Sequence, residues 1–319
     1  MRAAILRQNG PTDTVEVGQM AAPANRRDEV LVRVHAAAVN PADLKVCTGK
    51  DGGGFIHSTK FPFAIGFDFS GVVEKVGSGV TSRAVGDPVF GHLPYGMWTR
   101  QGSFAEYVAI KPESVGVKPE ALSHIDAAAA ATAGCTALQG LRDKGRLRSG
   151  QRVLVNGASG GVGSFAVQIA RLLGAEVWGT ASAGKAEFVR GLGAAQVLDY
   201  RVTPIASLSE TFDLVLDAAS MSSYGEAKHL LNPGGSYVTL LPSASLVGGV
   251  LQSTFSNKRC TFVTVQSRTA DLEQLAAWIV AGELDASVHA TFDLDSVTSA
   301  LAKLESGAVQ GKVAVRLRD

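Results

Sequence analysis

Val153–Leu173, VLVNGASGGVGSFAVQIARLL, is the stretch from which the fold can be read. Gln151 to Val155 is a short β-branched run suited to a strand buried on both faces, and it stops at a cluster of glycines. From Gly161 onward Val162, Phe165, Ala166, Ile169, Leu172 and Leu173 recur at helical spacing, so the turn feeds an amphipathic helix. Strand, turn and helix make the first half of a βαβ unit.

In that setting Gly160 and Gly161 let the backbone turn tightly and approach a phosphate, and Gly163 lets the helix lie close to the strand. The free N–H groups of the first helical turn, with Ala158, Ser159, Gly160, Gly161 and Val162 around them, then face an anion favoured by the helix dipole. The motif departs from G-x-G-x-x-G: Ala158 stands at its first glycine, and an extra Gly157 precedes it. Placed between a buried strand and an apolar helix, it predicts dinucleotide binding. No Lys-Ser or Lys-Thr pair follows the glycines, which excludes a P-loop.

The second strand, Glu176 to Thr180, should end in Asp or Glu if the ribose hydroxyls of NAD are bound. Instead the chain reads Thr180, Ala181, Ser182, Ala183, Gly184, Lys185, with no carboxylate before Glu187. Ser182 and Lys185 can donate to a 2′-phosphate that a carboxylate would repel, so NADPH is the expected cofactor. The alternative is a solvated turn with a lysine at a helix start.

The chain has 319 residues, enough for two cores. Its 46% hydrophobic and 18% charged residues describe a globular protein, and a net charge of +1 without a basic cluster gives no footprint for nucleic acid or an anionic membrane. Apolar runs are too short to span a bilayer, and MRAAILRQNG lacks the apolar core of a signal peptide, so a cytoplasmic location is expected. Cys47, Cys135 and Cys260 are odd in number and far apart, as reduced thiols are, and the six histidines are isolated.

Residues 1 to about 120 read as short strands (Arg2–Leu6, Val30–Val34, Gly71–Val76, Pro88–Gly91, Phe104–Ile110) separated by turn residues, a pattern that favours a small barrel. An alanine-rich helical connection from Asp126 ends near Gly145. Strands at 176–180, 196–198, 212–217, 236–240 and 261–265 then alternate with helices at 185–192, 223–231 and 271–281, which predicts a doubly wound parallel sheet. A helix at 295–304 and a strand at 312–317 close the chain and should return to the first domain. The expected division is 1–122, 123–268 and 269–319.

VNPADLK at 39–45, FPFAIGFDFSGVVEKVGSGV at 61–80, VGDPVFG at 85–91, GSFAEY at 102–107, the glycine loop and GKVAV at 311–315 resemble the zeta-crystallin-like quinone oxidoreductases of the medium-chain dehydrogenase/reductase superfamily. The resemblance spans nearly the whole chain. It implies an α/β protein with a β-rich GroES-like catalytic domain, a Rossmann domain, a cleft between them and a homodimer. Zinc-containing relatives use a cysteine, a Gly-His-Glu histidine and a further cysteine or acidic ligand. Here Asn40 stands at the first position, Gly66-Phe67-Asp68 at the second and Thr132 at the last, so no zinc is expected. Without a Lewis acid, hydride must go to an acceptor that is already electrophilic, a quinone or an α,β-unsaturated carbonyl.

Lys45 aligns with a residue that, in zinc-containing relatives, hydrogen-bonds the nicotinamide ribose and relays protons; it could also be a solvated lysine after Pro41. Asn40 can donate to the acceptor oxygen or cap the helix beginning at Pro41, capping being the favoured role. The resemblance places Thr132 at the nicotinamide, with a helix-terminal hydroxyl as the alternative, and puts Lys312 among the cofactor-binding residues. Tyr200 could stack on adenine, donate to the 2′-phosphate or be a surface aromatic. Asp68 reads as structural rather than as a base. The runner-up to an enzyme is an NADPH-binding redox sensor or structural protein without turnover.

Overall fold

The computed structural model describes residues 1–240 and 244–318. Two compact units result: Met1–Thr132 with Gln266–Gly282 and Ala286–Asp319, and Ala133–Val265 with Glu283–Asp285.

The second unit is built on six parallel strands in the spatial order Gln196–Asp199, Glu176–Ala181, Arg152–Asn156, Phe212–Asp217, Leu231–Thr239, Arg259–Phe262. Order reverses on either side of Arg152–Asn156, the topological switch point at which open α/β sheets bind ligands. Val153, Leu154, Val155, Leu214, Val215 and Leu216 are fully buried, which is why these strands read as apolar runs without alternation. The helix Gly161–Leu172 buries Phe165, Ala166, Val167, Ile169 and Ala170. Full burial of a side chain such as Phe165 or Ile169 is worth about 1.5 to 3 kcal/mol.

The expected helix at 223–231 is shorter: Tyr224–Ala227 is helical, a 3₁₀ turn follows to Leu230, and Leu231 already begins a strand. Pro233 disfavours helical backbone at Asn232 and supplies no N–H, so the helix stops ahead of it. A helix at Ala244–Thr254 has no counterpart in the sequence reading.

The first unit holds two sheets. In the larger, strands Val288–Asp293, Lys312–Arg316, Val30–Val39, Asp68–Val76, Pro88–His92 and Val115–Val117 lie side by side, and Tyr107–Ile110 also pairs with Val30–Val39. The smaller joins Glu16–Gln19, Arg2–Leu6 and Phe63–Ala64. Lys312–Arg316 runs antiparallel to Val30–Val39, with Val313 opposite Val39. Val39 leads directly into Asn40 and the helix Pro41–Thr48, so this strand pair sets Lys312 beside the start of that helix. The strand expected at 104–110 begins only at Tyr107, because the Phe104 backbone is spent on Ile65 and Ala4.

Candidate active site

In the second unit Asn156 ends the first strand and Gly157 makes the turn, with φ +81°, a conformation that costs a side-chain-bearing residue. Gly160 is extended (φ −81°, ψ 178°) and caps the helix. The tight-turn residue is therefore Gly157, which lies outside the fingerprint, and not Gly160. A Cβ on Gly163 would stand 2.1 Å from the Gly157 carbonyl oxygen, so this close approach tolerates only glycine. The Gly157 N–H donates to Thr180 Oγ1 (3.0 Å), and the Thr180 hydroxyl donates to Asn156 Oδ1 (2.6 Å). Asn156 Nδ2 donates to Asp217 Oδ1 (2.9 Å), whose other oxygen accepts from Ser222 and from Tyr237. The loop is thus braced from three strands before any ligand arrives. Ala158 and Ser159 are buried, while Gly160 is exposed and Gly161 and Val162 are partly so, leaving the N-terminal turn of the helix open.

Beyond the second strand, Ser182 caps a 3₁₀ turn over Ala183–Lys185. Asp199 Oδ2 accepts from Ala183 N (3.1 Å) and Asp199 Oδ1 from Arg201 N (2.9 Å). This carboxylate ends the third strand and ties the Ser182–Lys185 turn to the Tyr200–Arg201 turn. Burial lowers the proton affinity of Lys185, and Arg201 lowers it further by like charge. The Arg201 guanidinium lies over the Tyr200 ring, 5.8 Å from its centroid. Asp199 thus fixes the turn that carries Ser182 and Lys185 to the turn that carries Arg201.

In the first unit the centre is Asp68, fully buried on strand Asp68–Val76. Its Oδ1 accepts from the backbone N–H of Thr132 (3.0 Å) and from the Thr132 hydroxyl in a shorter bond. Its Oδ2 accepts from Asn40 Nδ2 (2.8 Å) and Lys312 Nζ (3.3 Å). Lys312, 2% exposed, also donates to Val39 O (3.0 Å) and Asn40 Oδ1 (2.6 Å). All three ammonium protons are used within this cluster, and Lys312 is the countercation of Asp68.

A zinc ion does not fit this donor set. Asn40 offers a neutral amide already bonded to an ammonium, Phe67 offers no donor atom, and Asp68 is saturated. Among the described residues no group of three or more His, Cys, Asp or Glu side chains is placed to hold a metal.

Asn40 is the N-cap residue of Pro41–Thr48, and its N–H donates to Asp43 Oδ2 (2.7 Å). Asp43 is fully buried and its Oδ1 has no hydrogen-bond partner among the described residues. Burial above all, with Asp68 adding to it and the Asn40 N–H and Lys312 opposing it, pushes the Asp43 carboxyl up to about 8. The Tyr95 hydroxyl is hydrogen-bonded to the Thr132 side chain; burial, then the Asp68 and Asp43 charges, drive its pKa above the ordinary phenol value. Tyr95 therefore remains a donor. Its ring packs on Phe67 (centroids 4.4 Å apart) and stacks with His92 (6.0 Å). Burial holds the His92 pKa below its ordinary value, Nδ1 lies 3.0 Å from Leu93 O, and Nε2 is buried with no hydrogen-bond partner among the described residues.

The structure thus gathers Asn40, Thr132 and Lys312 around Asp68. It does not join Lys45 to them: that side chain is half-buried on the same helix, with no hydrogen bond or ion pair among the described residues. In the second unit the loop residues, Ser182, Lys185 and Tyr200 lie at the C-terminal ends of adjacent strands. Asp43, Tyr95, His92 and Arg201 escaped the sequence reading. Asp43 carried a signal, since Asn-x-x-Asp before a helix is a capping pattern; Arg201 carried a weaker one, directly after Tyr200.

The family described as "Alcohol dehydrogenase GroES-like domain" matches residues 26–120, and that described as "Zinc-binding dehydrogenase" matches residues 192–315. The 2-methylene-furan-3-one reductase of Solanum lycopersicum is 34% identical over 314 residues, covering 96% of this chain and 76% of its own. The trans-enoyl reductase pgmF of Aspergillus terreus is 33% identical, covering 91% of this chain and 86% of its own. The solved quinone oxidoreductase from Coxiella burnetii superposes with a TM-score of 0.90 at 29% identity, over 100% of this chain and 99% of that one.

Proposed function

The chain belongs to the medium-chain dehydrogenase/reductase superfamily, and within it we propose an NADPH-dependent reductase of quinones or α,β-unsaturated carbonyls that works without zinc. The carrying observation is the Asp68 cluster, in which an ammonium, an amide and a hydroxyl converge on one buried carboxylate and leave no ligand for a metal. The names of the similar proteins, enoyl, furanone and quinone reductases, support the same acceptor class.

The open N–H groups at Gly160 to Val162 suit a pyrophosphate, and Ser182, Lys185 and Arg201 suit a 2′-phosphate. The reduced nicotinamide, when bound, supplies hydride to an electrophilic carbon or quinone. Tyr95 holds the matching proton. At rest the Thr132 hydroxyl is committed to Asp68, so Tyr95 donates to Thr132. With substrate present the Tyr95 hydroxyl turns to the acceptor oxygen and protonates it as negative charge develops. Thr132 can then turn its own proton to the phenolate until water returns the proton that Tyr95 gave up, while Asp68 keeps the Thr132 N–H, Asn40 and Lys312 as donors. An enone so treated becomes an enol that tautomerises to the saturated carbonyl, and a quinone becomes its hydroquinone. Asn40, at the N-cap of the helix Pro41–Thr48, and Lys45, in its last turn, belong to this reading as positioning residues.

The protein also assembles as a homodimer in this reading, supported by exposed Val247, Leu251 and Phe255 on and just after the helix that packs beside the sheet-edge strand Arg259–Phe262. Sedimentation showing a monomer at micromolar concentration would exclude it. Steady-state oxidation of NADPH against a panel of simple quinones and short 2-alkenals tests the activity. Turnover with at least one class is expected; NADPH binding without turnover of any would leave only a cofactor-binding protein.

A further inference from the structure

The helix His124–Leu138, which carries Thr132, meets the strand Asp68–Val76 at two hydrogen-bonded points. One is the Asp68 carboxylate, which accepts from the Thr132 N–H (3.0 Å) and hydroxyl. The other is Ser70, two residues along the same face of the strand, whose Oγ lies 2.8 Å from His124 Nδ1. Asp68 and Ser70 are both fully buried. Thr132 and His124 stand about 12 Å apart along the helix axis. One attachment leaves a helix free to pivot about it, and a second removes that freedom.

The surroundings of the second point suit an uncharged imidazole. The His35 ring, from strand Val30–Val39, stacks on His124 with centroids 4.5 Å apart and planes 17° apart. The buried Lys118 ammonium is fixed in the loop leading to the helix by Pro119 O (3.0 Å) and Leu122 O (2.6 Å). His124 also lies in the first turn of the helix, where the dipole disfavours a cation. Carboxylates on the adjoining elements are engaged elsewhere: Asp126 with Ser123 (2.6 Å), Glu74 with Arg33 (3.4 Å), and Glu106 with Arg318 (3.0 Å), whose own N–H donates to His35 O. Glu120 offsets Lys118. Burial first, then His35 and Lys118, holds the His124 pKa down at about 4. The Ser70 bond itself tolerates either state of the ring, because the Ser70 hydroxyl can donate to Val89 O (3.3 Å) while Nδ1–H donates to Ser70. The cost of a charge therefore falls on the stack and on Lys118.

Resting on the reductase reading, we infer that His124 is a positioning residue: anchored on Ser70 and stacked on His35, it fixes the helix where Thr132 reaches Asp68 with both N–H and hydroxyl, and it does so only while its ring is uncharged. Thr132 placed in this way receives the Tyr95 hydroxyl. A helix that pivots unlinks Tyr95 from Asp68, so the effect belongs to turnover. NADPH affinity is spared, because the residues proposed for the pyrophosphate lie in the second unit.

The experiment compares the wild type with His124→Ala and His124→Asn, in NADPH oxidation with a simple quinone and in amide hydrogen exchange at Thr132 of the NADP⁺-loaded protein. Alanine removes the anchor and leaves the Ser70 hydroxyl its Val89 acceptor, so no buried hydroxyl is orphaned and the variant is expected to fold. Asparagine keeps a donor and an acceptor at the position of Nδ1 and does not titrate. Near pH 7, His124→Ala should lose about tenfold or more in kcat, with KM for NADPH unchanged within about twofold and Thr132 exchanging about tenfold faster. His124→Asn should restore both to within about threefold. With His124 at about 4 in place and 6.5 when released, acid favours release, so wild-type Thr132 protection should fall roughly tenfold or more between about pH 7 and about pH 5, and that of His124→Asn should not. Wild-type kcat and protection in His124→Ala, a loss that asparagine does not restore, or parallel pH profiles of protection in wild type and His124→Asn would overturn the proposal. Inactivity of the wild type towards quinones and 2-alkenals, with Thr132 protection still following His124, would overturn the reductase reading and leave the anchor standing.

Discussion

Replacing Asp43 by Asn should change how stability depends on pH, with a sign that the structure determines. The buried Asp43 carboxyl titrates at about 8 in the folded protein against 3.8 in the reference state. Between those values the native state binds more protons than the unfolded chain, so stability is greatest at the acid end and falls as pH rises through the window. At about 1.4 kcal/mol per pH unit, tapering near both pKa values, the fall between about pH 5 and about pH 7.5 comes to roughly 3 kcal/mol, an upper figure because Asp68 and Lys312 respond to the same proton. Asn is the neutral isostere of the protonated acid. It can keep the acceptor for the Asn40 N–H, and it places its amide where the unpartnered Oδ1 now lies. Urea unfolding at both pH values, wild type against Asp43→Asn, is the assay. The two proteins should be of similar stability near pH 5, and the variant should be the more stable near pH 7.5, by up to that amount. Parallel pH profiles, or a variant that is less stable at the higher pH, would refute the assignment of a native-state proton to Asp43.

Lys185→Ala should weaken NADPH binding about tenfold or more and leave NADH nearly unchanged, since a charge-assisted contact to the 2′-phosphate contributes about 1.5 to 3 kcal/mol; equal losses for both cofactors, measured by fluorescence titration, would give the lysine another role. Arg201→Ala should follow the same pattern, because Asp199 holds its turn against that of Lys185. Tyr95→Phe removes the proposed proton donor but keeps the ring on Phe67, so kcat should drop about 10²-fold or more with the thermal midpoint little changed. Unaltered kcat across pH in that variant would move the donor elsewhere.

The parallel sheet was legible because strands buried on both faces must be apolar throughout, and Val153–Val155 and Leu214–Leu216 are. The glycine turn between strand and helix was legible, but which glycine makes it was not: φ at Gly157 follows from where the strand ends, and one glycine looks like another in a run of five small residues. At the polar cluster sequence gave the members singly. Asp68 and Lys312 lie 244 residues apart and meet only because the last strand returns to Val30–Val39, a register that no local pattern encodes. Each is a charge inside an apolar run, FDFSG and GKVAV, and a buried charge must find a counterion; that is the physical signal that pairs them. His92 lies at a strand end and Tyr95 beyond it, where no periodicity marks which side chain faces inward.

The central claim is that this protein reduces its acceptor with donors drawn from its own side chains and no metal. The direct measurement is NADPH oxidation with a quinone or 2-alkenal by protein dialysed exhaustively against chelator, with zinc determined by elemental analysis on the same sample. The account predicts full turnover with far less than one zinc per chain. Activity lost on chelation and restored by stoichiometric zinc would contradict it.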